Sequence, residues 1–352
     1  MSFKITVLPD GQTFALESGQ TVLDAALAAG LVLPYSCRTG TCSTCRGKVV
    51  SGDYDAGPAP AHILPPEDLA QGYTLLCQAR PSSDLVIEAH EVYLASDIRI
   101  RKMPVRVLAV EHLADDVMQV DLQLPSSEAY GFNPGQYLEF MLRDGARRSY
   151  SMAAPSSDEP KVSLHIRHMP GGVFTSHVFG SGDTRMAKRE ILRIEGPFGS
   201  FFLREDSDKP IIFMASGTGF APIKAIIEHM IAQGISRPAA LYWGGRRPKD
   251  LYMDALARGW EAQLPGFRYV PVVSEATPED AWAGRSGFVH LAVMEDFPDL
   301  SGHQVYACGA PIMVESARRD FTSDCGLPAG EFYADAFTSQ ADLAVLNPEQ
   351  ES

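Results

Sequence analysis

No run of apolar residues in this 352-residue chain approaches the ~20 that a membrane-spanning helix needs, so no membrane partner is expected. Basic residues are in deficit too: 30 Lys and Arg stand against 44 Asp and Glu, giving net charge −14 and a pI near 5.1. That balance argues against a nucleic-acid backbone or an anionic membrane surface as partner. Cysteine is scarce at six. With no secretory-type leader ahead of the first one, a disulfide scaffold is the weaker expectation and a reducing cytoplasm the natural setting. What remains is a length sufficient for two or three domains and a 45% hydrophobic content able to build a core in each.

The informative stretch is Pro34 to Cys45, P-Y-S-C-R-T-G-T-C-S-T-C. It sets Cys37, Cys42 and Cys45 with four and then two residues between them, and Cys77 follows after 31 more. Structural zinc usually draws its thiolates as two close pairs from separate knuckles, whereas here three cluster and one stands alone. The spacing is that of plant-type ferredoxins, which hold a 2Fe–2S cluster. Such a loop must curl tightly with little side-chain bulk while backbone N–H groups point at sulfur, and Gly40 with its Thr and Ser neighbours suits that demand.

Around this loop, Phe3, Ile5 and Val7 alternate, Asp10-Gly11 marks a hairpin turn, and Thr13 to Leu16 resumes the strand pattern. Thr21 caps a short helix carrying Asp24, and Gly30 ends it. The order resembles the β-grasp ferredoxin domain over residues 1–93, closed by the strand Asp84 to Glu88. Residues 1 to 95 hold five basic and ten acidic side chains, net −5. From Tyr93 to Pro104 the pattern loosens around Arg99, Arg101 and Lys102, and 94–104 reads as a linker.

From Val105 the chain turns β-rich, with Met118, Val120, Leu122 and Leu124 alternating as in a barrel. Pro134-Gly135-Gln136-Tyr137 precedes Arg148-Ser149-Tyr150-Ser151, and here the chain resembles the ferredoxin reductase superfamily, whose flavin barrel carries R-x-Y-S. The resemblance assigns Arg148 to the flavin pyrophosphate, Tyr150 to the ring and ribityl region and Ser151 to the reactive edge, with Ser149 among the flavin-binding residues. An Arg fork suits a pyrophosphate and an aromatic suits the ring. His165-Ile166-Arg167 on a strand, then Gly171, Gly172, Val173, Thr175 and Ser176 at a helix start, match the second flavin segment. Glycines there let amides approach phosphate. Thr175 stands where the family has Ser and Ser176 is beside it, so both remain candidates for the phosphate. Gly196-Pro197-Phe198-Gly199 resembles the turn closing the barrel. A FAD-binding barrel over 105–205 follows, FAD being favoured over FMN by the two phosphate segments.

Pro210 to Ala215 reads as a buried parallel strand running into Gly217-Thr218-Gly219 and a helix with Ile223, Ile226, Ile227 and Met230 on one face. The turn is not the common G-x-G-x-x-G, but with Phe220, Ala221 and Pro222 it resembles the pyridine-nucleotide turn of these reductases. Further strands are expected at Ala240 to Trp243, Tyr269 to Val273 and Gln304 to Ala307. The last runs into Cys308-Gly309-Ala310-Pro311, similar to the segment beside the nicotinamide. Gly244, Arg246 and Asp250 are candidate adenosine-side contacts. Arginines there can accept a 2′-phosphate and an acid a ribose. The resemblance to reductases with ferredoxin, flavin barrel and nucleotide domain in this order implies NADH as the donor, with NADPH open. Phe337 resembles the aromatic that covers the flavin, and Cys325 reads as structural. A Rossmann-like α/β domain is thus expected over 206–338, with 339–352 a tail.

The fold expected is therefore multidomain α+β and α/β: β-grasp ferredoxin, antiparallel flavin barrel and parallel nucleotide domain. The resemblance implies a monomeric NAD(P)H oxidoreductase in which Ser151, Cys308 and Phe337 flank the hydride path. Electrons would leave through a cluster held by Cys37, Cys42, Cys45 and Cys77. The implied partner is a terminal oxygenase of the Rieske aromatic-ring type. Alternatives are a deoxysugar dehydratase and di-iron or haem-thiolate monooxygenases.

Overall fold

The computed structural model describes residues 2–61, 63–89, 91–94, 100–126, 130–157, 159–180 and 185–337. The chain divides into two compact units, Met1–Asp97 with Ala334–Ser352, and Ile98–Tyr333. The expected tail 339–352, residue Thr338 before it and the linker residue Arg99 lie outside the described residues. Among the described residues no helix is long and apolar enough to cross a membrane.

In the first unit Ser2–Leu8 and Gln12–Glu17 form the expected hairpin, and Ser2–Leu8 also pairs in parallel with Leu85–Glu88. Their alternation buries Ile5, Val7 and Leu16 completely. The helix Val22–Ala28 begins where Thr21 Oγ1 accepts from the Asp24 amide at 3.1 Å, and Gly30 follows it with φ +78°. Arg46–Ser51 and Tyr73–Leu75 complete the five-stranded sheet and deliver Cys45 and Cys77 at adjacent strand ends.

The second unit holds two sheets. The first is antiparallel with six strands, and an isolated bridge between Met152 and Leu164 joins its outer strands into a barrel. Val107, Val120, Leu122, Leu138, Leu164 and Ile194 fill its core at 0% exposure. Its longest strand, Arg101–Ala114, starts inside the expected linker: Arg101 pairs with Gly196, Lys102 with Glu195 and Met103 with Ile194. Charged residues there alternate with buried Met103, Val105 and Val107, which is a strand's signature with its polar face outward. Gly196-Pro197-Phe198, expected as a turn, lies at the end of the partner strand Ile191–Phe198.

The second sheet is a parallel run in the order Arg285–Ser286, Phe267–Val273, Ala239–Gly245, Ile211–Ser216, Gln304–Gly309, with a further edge strand beginning at Phe332. The chain leaves Ile211–Ser216 to one side first and to the other later, so the switch point lies between the carboxyl ends of Ile211–Ser216 and Gln304–Gly309. Open α/β sheets bind their ligands in that crevice.

Candidate functional site

The cysteine loop curls through positive φ at Arg38 (59°), Gly40 (83°) and Ser43 (55°). At Gly40 a Cβ would stand 3.1 Å from Gln78 Cγ and 3.3 Å from the Pro58 carbonyl, so conformation and space both favour glycine. Amides point at sulfur as anticipated: Thr39 N and Thr41 N each lie 3.4 Å from Cys37 Sγ, and Cys37 N lies 3.5 Å from Cys42 Sγ. Gln78 Nε2 reaches Cys77 Sγ at 3.5 Å.

The four thiols are neighboured as two pairs. Cys37 accepts from Cys42 and Cys77 from Cys45; these bonds, ahead of burial, hold the Cys37 and Cys77 thiols below their ordinary range and push Cys42 and Cys45 above it. Among the described residues no three His, Cys, Asp or Glu side chains close around one point as a single metal ion requires. Two pairs, each serving one iron, are what a 2Fe–2S cluster asks of its protein. The residues fit the cluster. Cys325 lies elsewhere, buried, its thiol raised by burial first.

On the barrel, Arg147–Ser151 is an outer strand with neighbouring arginines in different company. Arg147 Nη1 is 2.7 Å from Glu139 and 2.5 Å from Glu195. Arg148 Nη1 donates to the Arg147 carbonyl at 2.7 Å and has no acidic partner among the described residues. Its charge is therefore the one available to an anion. The Tyr150 ring lies 5.5 Å from Phe174 and 5.9 Å from Phe140, while Ser151 is buried at 4% exposure. At Gly171-Gly172 the helix Val173–Phe179 begins. The Thr175 hydroxyl is engaged within the loop, accepting from Met169 N at 3.2 Å and facing the Met169 and Gly172 carbonyls at 3.1 and 3.2 Å, whereas Ser176 is exposed.

The nucleotide turn is built by close approach. A Cβ on Gly219 would stand 2.2 Å from the Cys308 carbonyl, and one on Gly309 2.2 Å from Ser216 Oγ. Ser216 Oγ in turn accepts from Ala310 N at 3.0 Å, so the turn Gly217–Gly219 and the segment Cys308-Gly309-Ala310-Pro311 interlock across the switch point. Thr218 sits within that turn, and Pro222 is buried in the first turn of the helix Phe220–Gln233. Phe220 stacks on Trp243 at 3.8 Å beneath it, and Trp243 Nε1 donates to Gly217 O at 3.1 Å. Gly217, at φ +53°, has Arg167 Nη1 only 2.7 Å from where its Cβ would be. Arg167 Nε lies 3.1 Å from Asp116, yet Nε and Nη2 are both buried with no well-formed hydrogen bond. A half-buried cationic fork with two buried donors lacking hydrogen bonds, beside a glycine turn, fits a phosphate-bearing dinucleotide.

Cys308 is wholly buried at the end of its strand, and Ile166 is equally buried between His165 and Arg167. Gly244 pairs with Ser216 one residue before the end of its strand, and Asp250 accepts from the amides of Arg246 and Arg247 at 2.9 and 3.1 Å. Phe337 directly follows Phe332–Ala336 and is half-buried. Two residues that motif reading passed over belong with the site. Ser216 carries no glycine-like signal but clasps Ala310, and Tyr252, two positions beyond Asp250, bonds His165.

A thiol cradle for a cluster, a flavin-type barrel and a switch-point nucleotide turn define an iron–sulfur flavoprotein reductase. Family comparison agrees segment by segment: residues 5–82 match the 2Fe-2S iron-sulfur cluster binding domain, 104–203 the oxidoreductase FAD-binding domain and 213–319 the oxidoreductase NAD-binding domain. The CDP-6-deoxy-L-threo-D-glycero-4-hexulose-3-dehydrase reductase of Yersinia pestis is 37% identical over 96% of this chain and 99% of its own length. Reductase component 1 of the terephthalate 1,2-dioxygenase of a Comamonas species is 37% identical over 96% of this chain and 98% of its own. Among solved structures, the Amycolatopsis cytochrome P450 reductase GcoB superposes with TM-score 0.75 at 34% identity, covering 96% of this chain and 99% of that one. The chain belongs to the ferredoxin reductase superfamily, within the group of NAD(P)H-dependent reductases that carry FAD and a plant-type 2Fe–2S cluster and act as reductase components.

Proposed function

We propose that this reductase draws on NADH and serves a terminal oxygenase of the Rieske aromatic-ring type, acting as a monomer in a reducing cytoplasm. The observation carrying the electron route is that thiols grouped in two pairs occur in one chain with an interlocked switch-point turn backed by the orphaned Arg167. When bound, FAD supplies the conversion between hydride transfer and the single-electron chemistry of an iron–sulfur cluster.

The residues divide that work. Arg148, without an acid partner among the described residues, holds the flavin pyrophosphate; Tyr150 takes the ribityl and ring, Ser151 the reactive edge, and Ser149 stands between them on the same strand. The amides after Gly171 and Gly172, with Val173 and the exposed Ser176, face the phosphate, while Thr175 shapes the loop from within. Arg167 and the Gly217-Thr218-Gly219 turn, with Pro222, orient the nucleotide diphosphate. Cys308 to Pro311 line the nicotinamide side, and Gly244, Arg246 and Asp250 the adenosine side. Phe337 is assigned by resemblance alone as the aromatic of the flavin site.

A second reading has support of its own, since the Yersinia pestis dehydrase reductase matches over 96% of this chain. The two are separated by NADH-driven turnover of separately purified partners. Turnover of a Rieske oxygenase without turnover of a pyridoxamine-dependent sugar dehydratase supports the first reading, and the reverse pattern replaces it with the second. Turnover confined to a di-iron or haem-thiolate monooxygenase removes both.

A further inference from the structure

At the carboxyl ends of Ala239–Gly245 and Phe267–Val273 two loops are tied together. Ser274 N donates to Gly245 O at 3.0 Å and Glu275 N to Arg246 O at 2.8 Å. Over this seam Arg247 grips Asp280 with both edges of its fork, Nε to Oδ2 at 2.6 Å and Nη2 to Oδ1 at 2.9 Å. Nη2 also reaches Thr277 Oγ1 at 2.8 Å, and the Thr277 amide donates to Asp280 Oδ2 at 2.9 Å. Arg247 first, and the Thr277 amide second, hold the Asp280 carboxyl down to about 2.

A dinucleotide seated at the switch point lays its adenosine over neighbouring strand ends, where an Arg accepts the 2′-phosphate that distinguishes NADPH from NADH. Arg247 stands at that place in the sequence, but its donors are turned onto Asp280 and Thr277. The Arg246 side chain is 69% exposed with its Nε 3.9 Å from Asp250 Oδ2, and the backbone of the acidic Glu275 is tied to the Arg246 carbonyl.

We propose that Asp280 is a nucleotide-selectivity residue, which favours NADH by clasping Arg247 and denying a 2′-phosphate its guanidinium partner. The proposal rests on the dinucleotide site at Gly217–Gly219 described above. Its test measures kcat/KM for NADH and for NADPH in the full-length holoprotein, with ferricyanide as acceptor. Calorimetric binding of 2′,5′-ADP and 5′-AMP accompanies it. The parent protein is expected to favour NADH. Asp280→Asn, which removes the charge but keeps the side-chain shape, is expected to raise the NADPH-to-NADH ratio by about tenfold or more. That is the scale of one charge-assisted bond to phosphate. The gain should appear in KM, and 2′,5′-ADP should bind more tightly while 5′-AMP does not. Adding Arg247→Ala should return the ratio to the parental value. An unchanged ratio in Asp280→Asn, or a raised one that survives loss of Arg247, overturns the proposal and leaves the dinucleotide site standing. A parent protein whose flavin neither nucleotide reduces overturns the site and the proposal together. If Asp280→Asn loses turnover, the comparison of 2′,5′-ADP with 5′-AMP decides the matter without it.

Discussion

His165 Nδ1 lies 3.0 Å from the Tyr252 hydroxyl, and the two rings meet edge to face at 5.5 Å. The bond joins the barrel strand Lys161–Arg167 to the loop beyond Asp250 in the nucleotide domain, and His165 is only 5% exposed. Tyr252→Phe keeps the ring contact but leaves a buried ring nitrogen without its partner. The expected loss is about 1–3 kcal/mol of stability, read in denaturant unfolding. His165→Leu added to Tyr252→Phe should recover part of it, because removing both partners of a buried pair costs less than removing one.

The same histidine gives the protein a defined response to acid. Burial first, and the Lys224 charge second, hold the His165 imidazole down to about 3, against about 6.5 in an unfolded chain. Between those values the unfolded state takes up the proton and the folded state does not, so stability is complete above about pH 6.5 and falls as pH drops toward 3. His165→Gln should flatten that part of the curve of Tm against pH. A variant curve parallel to the parental one would contradict the assignment.

Gly219→Ala forces a methyl to within 2.2 Å of the Cys308 carbonyl, whereas Gly302 has nothing within 4 Å of its own Cβ position. Both backbones must move in the first case. Gly219→Ala is expected to retain FAD, to lose about 1–3 kcal/mol, and to slow NADH reduction of the flavin at least tenfold. Gly302→Ala should match the parent in all three, as measured by flavin absorbance, unfolding and stopped flow.

Cys45→Ser removes one sulfur from the pair it forms with Cys77 and should abolish the cluster's visible absorption while the flavin bands persist. Cys325→Ser should leave the whole spectrum intact. A shortened chain covering 98–337 keeps the strand from Arg101 that pairs with Gly196. It should reduce ferricyanide with NADH yet fail to reduce the partner protein.

Local chemistry was legible in the sequence where the reacting groups are close neighbours in the chain. Thr21 and Asp24 announce a helix start three residues apart, and Cys37, Cys42 and Cys45 carry their spacing with them. The start of the barrel was misread because Arg101 and Lys102 look like solvated linker. Their strand character becomes visible only through the pairing with Glu195 and Gly196, more than ninety positions away. The division of labour between Arg147 and Arg148 depends on Glu139 and Glu195, and that between Thr175 and Ser176 on Met169, none of which a motif specifies. The pairing of Arg247 with Asp280 is likewise invisible to a motif, since Asp280 stands 33 positions on in another loop. Motifs gave the order of the cofactor segments, and long-range pairing decided which of two adjacent side chains was available.

The most direct test of the electron route is anaerobic stopped-flow reduction by NADH, followed at flavin and cluster wavelengths in one sample, on the parent and on Cys45→Ser. The route predicts that both chromophores bleach in the parent, the cluster never ahead of the flavin, and that the flavin alone bleaches in the variant at an unchanged rate. A parent in which the flavin is reduced while an intact cluster, verified by iron and acid-labile sulfide in equal amounts, stays oxidised would contradict it.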